Sequence, residues 1–287
     1  MLKEKTFKCK AYAKVNLFLN VFNKSKNNLH NLHNLRSLVC FIDLYDEIRI
    51  SESKKFSIEI TGPFKNFVKK KENIIEKTFI IFSKFLNLKT NYKIFLNKKI
   101  PVAAGLGGGS SDAAAVLQGL NFLNKKKIKK KDLFKLAMKI GSDVPACLYN
   151  KNVFFSGYGQ ILTKAPKIPK ISLLLINPRK ELSTKKVFNI YRGKKIIKKS
   201  NYTYKKFFSW ILEQNNDLQQ YAEKFVPEIN EMIKFLNLSK NCFFSKMSGS
   251  GPTVFGLFKK RIDAKKINIL LKKKHPKWWS GVYSIKT

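Results

Sequence analysis

Residues 101–117 read PVAAGLGGGSSDAAAVL, and the reading of this stretch decides the fold. Gly105, Gly107, Gly108 and Gly109 carry no side chains, so backbone N–H groups here can close on a ligand. Ser110, Ser111 and Asp112 stand where N-cap residues belong, and Ala113, Ala114 and Ala115 are strong helix formers. A glycine loop that runs into a helix offers unpaired N–H groups and the positive end of the helix dipole to an anion. The simplest such anion is the phosphate chain of a nucleotide. A tight structural turn is the other reading. No Gly-Lys-Ser/Thr closes the loop, so it is not a Walker-type loop. Gly107-x-Gly109-x-x-Asp112 begins a dinucleotide fingerprint without completing it.

The 287 residues are enough for two domains or one large one, and the 44% hydrophobic fraction supports a sizeable core. The longest apolar runs, such as Leu173 to Ile176, are too short to span a bilayer, so no membrane association is expected. The start, MLKEKTFKCKAYAKVNLFLNVF, alternates polar and apolar residues, which predicts strands and not a signal peptide. Cys9, Cys40, Cys147 and Cys242 are scattered, which points to a reduced, cytoplasmic protein with neither a disulfide framework nor a zinc site. The net charge of +40 raises nucleic-acid binding as a function. Nearly all of that charge is lysine, in runs such as Lys125–Lys127 and Lys272–Lys274, with arginine only at positions 36, 49, 179, 192 and 261. Bidentate phosphate and base recognition favours arginine, so a solvated lysine surface without a specific nucleic-acid partner is the reading taken. Such a surface steers anionic substrates inward at low salt.

Periodicity predicts strands over residues 6–21, 37–50, 56–60, 92–96, 171–176, 243–247, 253–258 and 281–285, with a hairpin over 153–162. It predicts helices over 73–88, 111–123, 132–140, 184–191, 204–212, 227–236 and 264–273. Strands and helices mix without regular alternation, which favours an α+β fold. A division near residue 160 gives domains 1–160 and 161–287.

Three further clusters carry possible chemistry. Lys14, in Ala13-Lys14-Val15-Asn16, either faces outward from a strand or places a cation near a transferring phosphate. Asp143, in Gly141-Ser142-Asp143-Val144-Pro145, is either a helix cap or a general base. Ser248-Gly249-Ser250-Gly251-Pro252 is either a plain hairpin turn or a second backbone wall near a phosphate. His30, His33 and His275 lack ligand spacing, so no protein-built metal site is expected.

These clusters stand in an order that resembles the GHMP kinases, small-molecule kinases with a loop of the type P-x-x-x-G-L-G-x-S-S-A-A. Within that superfamily the chain is similar to the branch that acts on a cytidine diphosphate-linked methylerythritol. Ala13-Lys14-Val15-Asn16-Leu17, GLGGGSSDAA, Gly141-Ser-Asp143-Val-Pro145 and Ser248-Gly-Ser-Gly-Pro252 carry that likeness, which spans residues 13 to 252. The resemblance implies a two-domain α+β kinase, its first domain with the fold of a ribosomal protein domain and its second of ferredoxin-like type. It implies ATP and substrate in a cleft between domains, and a place in the non-mevalonate route to isoprenoid precursors. Asp143 would accept the hydroxyl proton and Lys14 would stabilise developing charge. Pro101, Ala104, Gly105, Gly107, Gly108, Gly109, Ser110 and Ser111 would cradle ATP, with Mg²⁺ bound mainly through the phosphates. Asn73 and Lys98 match positions near the nucleotide.

For the small-molecule substrate the resemblance implies Asn16, His33, Thr184 and Phe188, with His33 reading the cytosine edge. The family pattern G-Y-H falls on Asn31-Leu32-His33, so an aliphatic side chain stands where the family stacks an aromatic ring. Losing one face of a base stack costs about 1–3 kcal/mol. The alternatives are another kinase of the same superfamily, of the homoserine, mevalonate or galactose type, and a basic RNA-binding protein. Oligomeric state is not legible in the sequence.

Overall fold

A computed structural model describes residues 5–24, 33–69, 73–125, 127–165, 167–192 and 206–286. Asn31, Leu32 and Tyr204 lie outside the described residues. The chain forms two compact units. One contains residues 1–13, 44–102 and 107–150; the other contains 14–43, 103–106 and 151–287. These interleave along the sequence, unlike the single division drawn near residue 160. The cause is two long strands, β1 (Thr6–Lys24) and β2 (His33–Ser53), which pair with each other and whose residues are shared between the units. β2 changes partner along its length, so no single cut separates its neighbours.

In the first unit, β3 (Ser57–Thr61) runs parallel to β4 (Asn91–Asn97). β4 in turn pairs antiparallel with Glu47–Ser53 of β2. Alternation along β4 buries Tyr92, Ile94 and Leu96, the period-2 pattern of a half-buried strand. Helix α1 (Ile74–Leu86) opens on Asn73, whose side-chain oxygen accepts from the Ile75 amide at 2.9 Å. Helix α2 (Gly108–Leu123) is buried over most of its length and packs against α1, α3 (Lys130–Ile140) and α4 (Val144–Tyr149). Its small residues permit that close packing. A Cβ on Gly119 would come within 2.6 Å of the Ile50 and Phe7 side chains.

α2 is anchored by a buried charge cluster. Lys98 Nζ donates to Asp46 Oδ2 at 2.5 Å and to Asp112 Oδ2 at 2.6 Å, and all three side chains are almost fully buried. One cation faces two carboxylates, so the cluster favours taking up a proton. Asp46 Oδ1 also accepts from the Lys99 and Ile100 amides, at 2.5 and 2.9 Å. Asp112 Oδ1 has no hydrogen-bond partner among the described residues. Burial therefore pushes the Asp112 carboxyl well above the usual carboxylate range; Lys98 opposes the shift and neighbouring Asp46 adds to it. Burial alone would lower the Lys98 ammonium, but the two carboxylates overcome it and hold the pKa above its ordinary value.

In the second unit, Leu35–Val39 of β2 pair antiparallel with β5 (Val153–Gly157), which pairs antiparallel with β6 (Ile161–Lys164). A separate antiparallel sheet contains β7 (Ser172–Asn177), β8 (Cys242–Met247), β9 (Val254–Phe258) and β10 (Trp279–Ser284) in the order β10-β7-β9-β8. Helices α5 (Thr184–Ile190), α6 (Phe207–Leu212), α7 (Gln219–Ala222) and α8 (Glu228–Asn237) lie between β7 and β8 in the chain. α9 (Arg261–Lys274) joins β9 to β10. That strand order, with helical crossovers after its first and third strands, is the ferredoxin-like arrangement. Leu174, Ile176, Val254 and Phe258 from the sheet meet Ile229 and Met232 of α8 and Ala264 and Leu271 of α9 in one core.

The α+β class and the long elements follow the periodic pattern of the sequence. Two short helices, α4 and α7, carry too few turns to show one and were not foreseen. No helix among the described residues is long and apolar enough to cross a membrane.

Replacing Lys98 with alanine leaves two buried carboxylates facing each other and is expected to lower unfolding free energy by about 3–5 kcal/mol in urea titrations. A loss under about 1 kcal/mol would contradict the cluster as an anchor. Asp112→Asn is expected to be far milder, and it carries a pH signature. The folded carboxyl binds its proton more tightly than the unfolded chain does. Its contribution is therefore present below the ordinary aspartate pKa of about 3.9 and is lost as pH rises through the folded value. The stability of the parent relative to Asp112→Asn should fall as pH rises from about 4 toward neutrality; a rising difference would reverse the assignment.

Candidate active site

The glycine loop takes backbone conformations that explain its composition. Gly105 and Gly107 have φ of 73° and 64°, and Ala103 lies at 50°. Gly107, in the left-handed region, is the N-cap of α2. Ser110, Ser111 and Asp112 are therefore not caps; they lie inside the first turns, because only glycine takes the cap conformation without strain. The Ser111 hydroxyl donates to the Tyr12 carbonyl at 2.6 Å and lies 3.2 Å from Cys147 Sγ. The Ser111 amide makes an early helical bond, to Gly107 O at 2.9 Å. The amides of Gly108, Gly109 and Ser110 precede it at the positive end of the dipole. Gly109 is exposed and Ser110 half-buried. Gly108 is glycine for a local reason: a Cβ there would meet Lys98 Nζ and the Ile100 side chain, each at 3.0 Å. Pro101 and Ala104 are buried supports of the loop. Asn73 is occupied as the α1 cap, and the Lys98 ammonium is consumed by its two carboxylates, so its side chain braces α2 from within.

Lys14 does not face outward. It is 5% exposed, and its ammonium donates to Asn16 Oδ1 at 2.6 Å. Asn16 Nδ2 donates to Ser37 Oγ at 2.8 Å, and the Ser37 hydroxyl donates to the Phe18 carbonyl at 2.6 Å. Both ends of the Asn16 side chain thus make contacts inside the fold. The Lys14 amide donates to Leu106 O at 2.9 Å.

The segment Ser248–Pro252 is more than a turn between β8 and β9. Ser248 Oγ accepts from the Asn16 amide at 3.2 Å and donates to Gly105 O at 3.0 Å. The Thr253 amide donates to Ala104 O at 3.3 Å. Asn216 Nδ2 donates to Met247 O and Gly249 O, at 2.7 and 2.8 Å. Ser250 Oγ lies 2.7 Å from Thr184 Oγ1. Ser37 and Asn216 were not picked out from the sequence. Each forms its contacts across long stretches of chain, and Ser37 lies in a strand pattern that marks burial but not partners.

Asp143 takes the N-cap position of α4, but its side chain makes no cap hydrogen bond. His33 and Phe188 lie together, ring centroids 5.6 Å apart. Tyr191 meets the His33 ring edge-on at 5.5 Å and donates its hydroxyl to Val21 O. His33 Nδ1 donates to the Phe22 carbonyl at 2.8 Å, which leaves Nε2 as an acceptor in the neutral ring. No group of three or more His, Cys, Asp or Glu that could hold a metal occurs among the described residues.

The family of the GHMP kinases N terminal domain matches residues 72–151, and that of the GHMP kinases C terminal domain matches residues 205–268. The chain is 34% identical to the 4-diphosphocytidyl-2-C-methyl-D-erythritol kinase of Rhodospirillum rubrum over 276 residues, covering 94% of this chain and 90% of the relative. A crystal structure of a 4-(cytidine 5'-diphospho)-2C-methyl-D-erythritol kinase aligns with a TM-score of 0.75 at 26% identity, over 96% of this chain and 99% of that one. The homoserine kinase of Cytophaga hutchinsonii shares the fold at a TM-score of 0.72 and 21% identity, over 100% of this chain and 96% of that one. This chain belongs to the GHMP kinases, in the family of the 4-diphosphocytidyl-2-C-methyl-D-erythritol kinases.

Proposed function

We propose that this chain transfers the γ-phosphate of ATP to the 2-hydroxyl of 4-diphosphocytidyl-2-C-methyl-D-erythritol, in the cytoplasm, on the non-mevalonate route to isoprenoid precursors. One observation carries the chemistry: a buried lysine, Lys14, fixed by Asn16 and tied by its own amide to the glycine loop at Leu106. A buried ammonium in that setting stabilises negative charge far better than one in water. The substrate hydroxyl oxygen attacks the γ-phosphorus, the bond from that phosphorus to the bridging oxygen of ADP breaks, and the hydroxyl proton passes to Asp143. Most of the remaining acceleration is positioning of the phosphoryl group.

The amides of Gly108, Gly109 and Ser110 at the start of α2 cradle the phosphates, with Gly105 and Gly107 shaping the loop. Bound through ATP, Mg²⁺ would neutralise phosphate charge. α2 has no acidic residue in its first turn, and the Asp112 carboxylate is committed to Lys98, so the protein residues fit a metal held mainly through the phosphates. Cytosine is read by His33, whose acceptor Nε2 matches the exocyclic amino donor of cytosine and mismatches the carbonyl of uracil. Phe188 supplies an aromatic face for the base.

ADP release with Mg-ATP, offered the cytidyl substrate, homoserine and mevalonate in parallel, tests the reading. Turnover with the cytidyl substrate alone is expected; turnover with another acceptor would move the chain to a different substrate class within the fold. Asp143→Asn is expected to lower kcat by about 10²–10⁴-fold with an unchanged melting temperature, and near-normal kcat would remove Asp143 as the base. A uridyl analogue of the substrate should lose at least ~10-fold in kcat/KM. Equal use of both analogues would leave His33 with no part in reading the base.

A further inference from the structure

We infer that Ser37 is a positioning residue for phosphoryl transfer: its hydroxyl sets the orientation of the Asn16 amide and, through it, of the Lys14 ammonium. The inference rests on the role proposed above for Lys14. Its force lies in the polarity of the hydrogen bonds, not in their number. The Phe18 carbonyl can only accept, so the Ser37 hydroxyl proton is committed to it at 2.6 Å. Ser37 Oγ then has only lone pairs to offer Asn16, and Asn16 must present its NH₂ end, at 2.8 Å. The amide oxygen is left facing Lys14, where it accepts from the ammonium at 2.6 Å. Reversing the amide would place NH₂ against an ammonium and fail both contacts. A main-chain carbonyl of β1 thus dictates, through two buried side chains, which atom meets the cation.

The relay is shielded from water: Ser37, Asn16 and Lys14 are 0%, 4% and 5% exposed. Solvent therefore does not substitute readily for a lost partner. The backbone of the same asparagine completes the arrangement. Its amide donates to Ser248 Oγ, whose proton goes to Gly105 O in the glycine loop. Asn16 is therefore the residue at which the orientation of Lys14 and the placement of that loop meet, and Ser37 is what fixes its amide.

The test is a double-mutant cycle on the full chain, with kcat and both KM values measured for the parent, Ser37→Ala, Asn16→Ala and the double variant. Ser37→Ala is expected to lower kcat by ~10–100-fold and to leave the KM for ATP within about threefold. In the Asn16→Ala background the same change should alter kcat by less than about twofold, because the relay is already cut. Ser37→Thr, which keeps the hydroxyl, should recover kcat. A parent-like kcat for Ser37→Ala, or the same fold-loss in both backgrounds, overturns the inference. If Ser37→Ala does not fold, Ser37→Cys, of similar volume and weak as a hydrogen-bond partner, carries the same comparison. Should the parent fail to use the cytidyl substrate, the proposed function falls by itself. The relay is then read from Lys14 acetylation measured by mass spectrometry: an altered rate at Lys14 in the Ser37 variant supports it, and an unchanged rate overturns it.

Discussion

Two backbones approach so closely at Gly105 and Ser248 that no side chain fits between them. A Cβ on Gly105 would lie 2.2 Å from Ser248 O, and Gly105 also has a φ of 73°. Both demands select glycine, and both arise because the loop lies directly against the Ser248–Pro252 segment. Gly249 faces the same constraint from the other side, since its Cβ would come 3.0 Å from Gly105 O. The Ser248 hydroxyl joins the two segments, and Asn216 holds the far segment by two of its carbonyls. The placement of the loop residues 103–106, of Asn16 and so of Lys14 follows from this contact.

Two buried polar clusters, one in each unit, differ in kind. Along the Lys14–Asn16–Ser37 relay, donors and acceptors are matched from one residue to the next. Its value lies in direction, because each partner fixes the polarity of the next. The Lys98–Asp46–Asp112 cluster carries one positive and two negative groups, so it is stable only if a proton is shared or one carboxylate is otherwise stabilised. Asp46 accepts from two backbone amides, whereas Asp112 Oδ1 has no hydrogen-bond partner among the described residues, and burial raises the Asp112 carboxyl. The helix that opens at Gly107 is therefore anchored by a charge cluster that favours taking up a proton.

Much of this was written in local sequence. The spacing of Ile75 and Phe82 gave α1, the alternation along β4 gave a half-buried strand, and the glycines followed by alanines gave a loop running into a helix. The cap of that helix was misread because serine and aspartate are the common cap residues, whereas the left-handed φ of Gly107 is a property of the folded loop. The resemblance placed Lys98 near the nucleotide, and the structure sets its ammonium against two buried carboxylates. Its two carboxylates lie 52 and 14 residues away in the chain, too far for any local pattern to show. The role of Ser37 and the partners of Ser248 were invisible for the same reason: Asn16 meets these serines 21 and 232 residues away. The interleaved units share that origin, since a strand's change of neighbours is not encoded in its own alternation.

The most direct test of the reaction is phosphorus NMR of 4-diphosphocytidyl-2-C-methyl-D-erythritol incubated with the purified chain and Mg-ATP. The account predicts a new phosphomonoester resonance appearing in step with ADP, with the cytidyl diphosphate signals of the substrate retained. ATP consumed with no new ester, or cleavage of the substrate's own diphosphate, would contradict phosphoryl transfer to the methylerythritol hydroxyl.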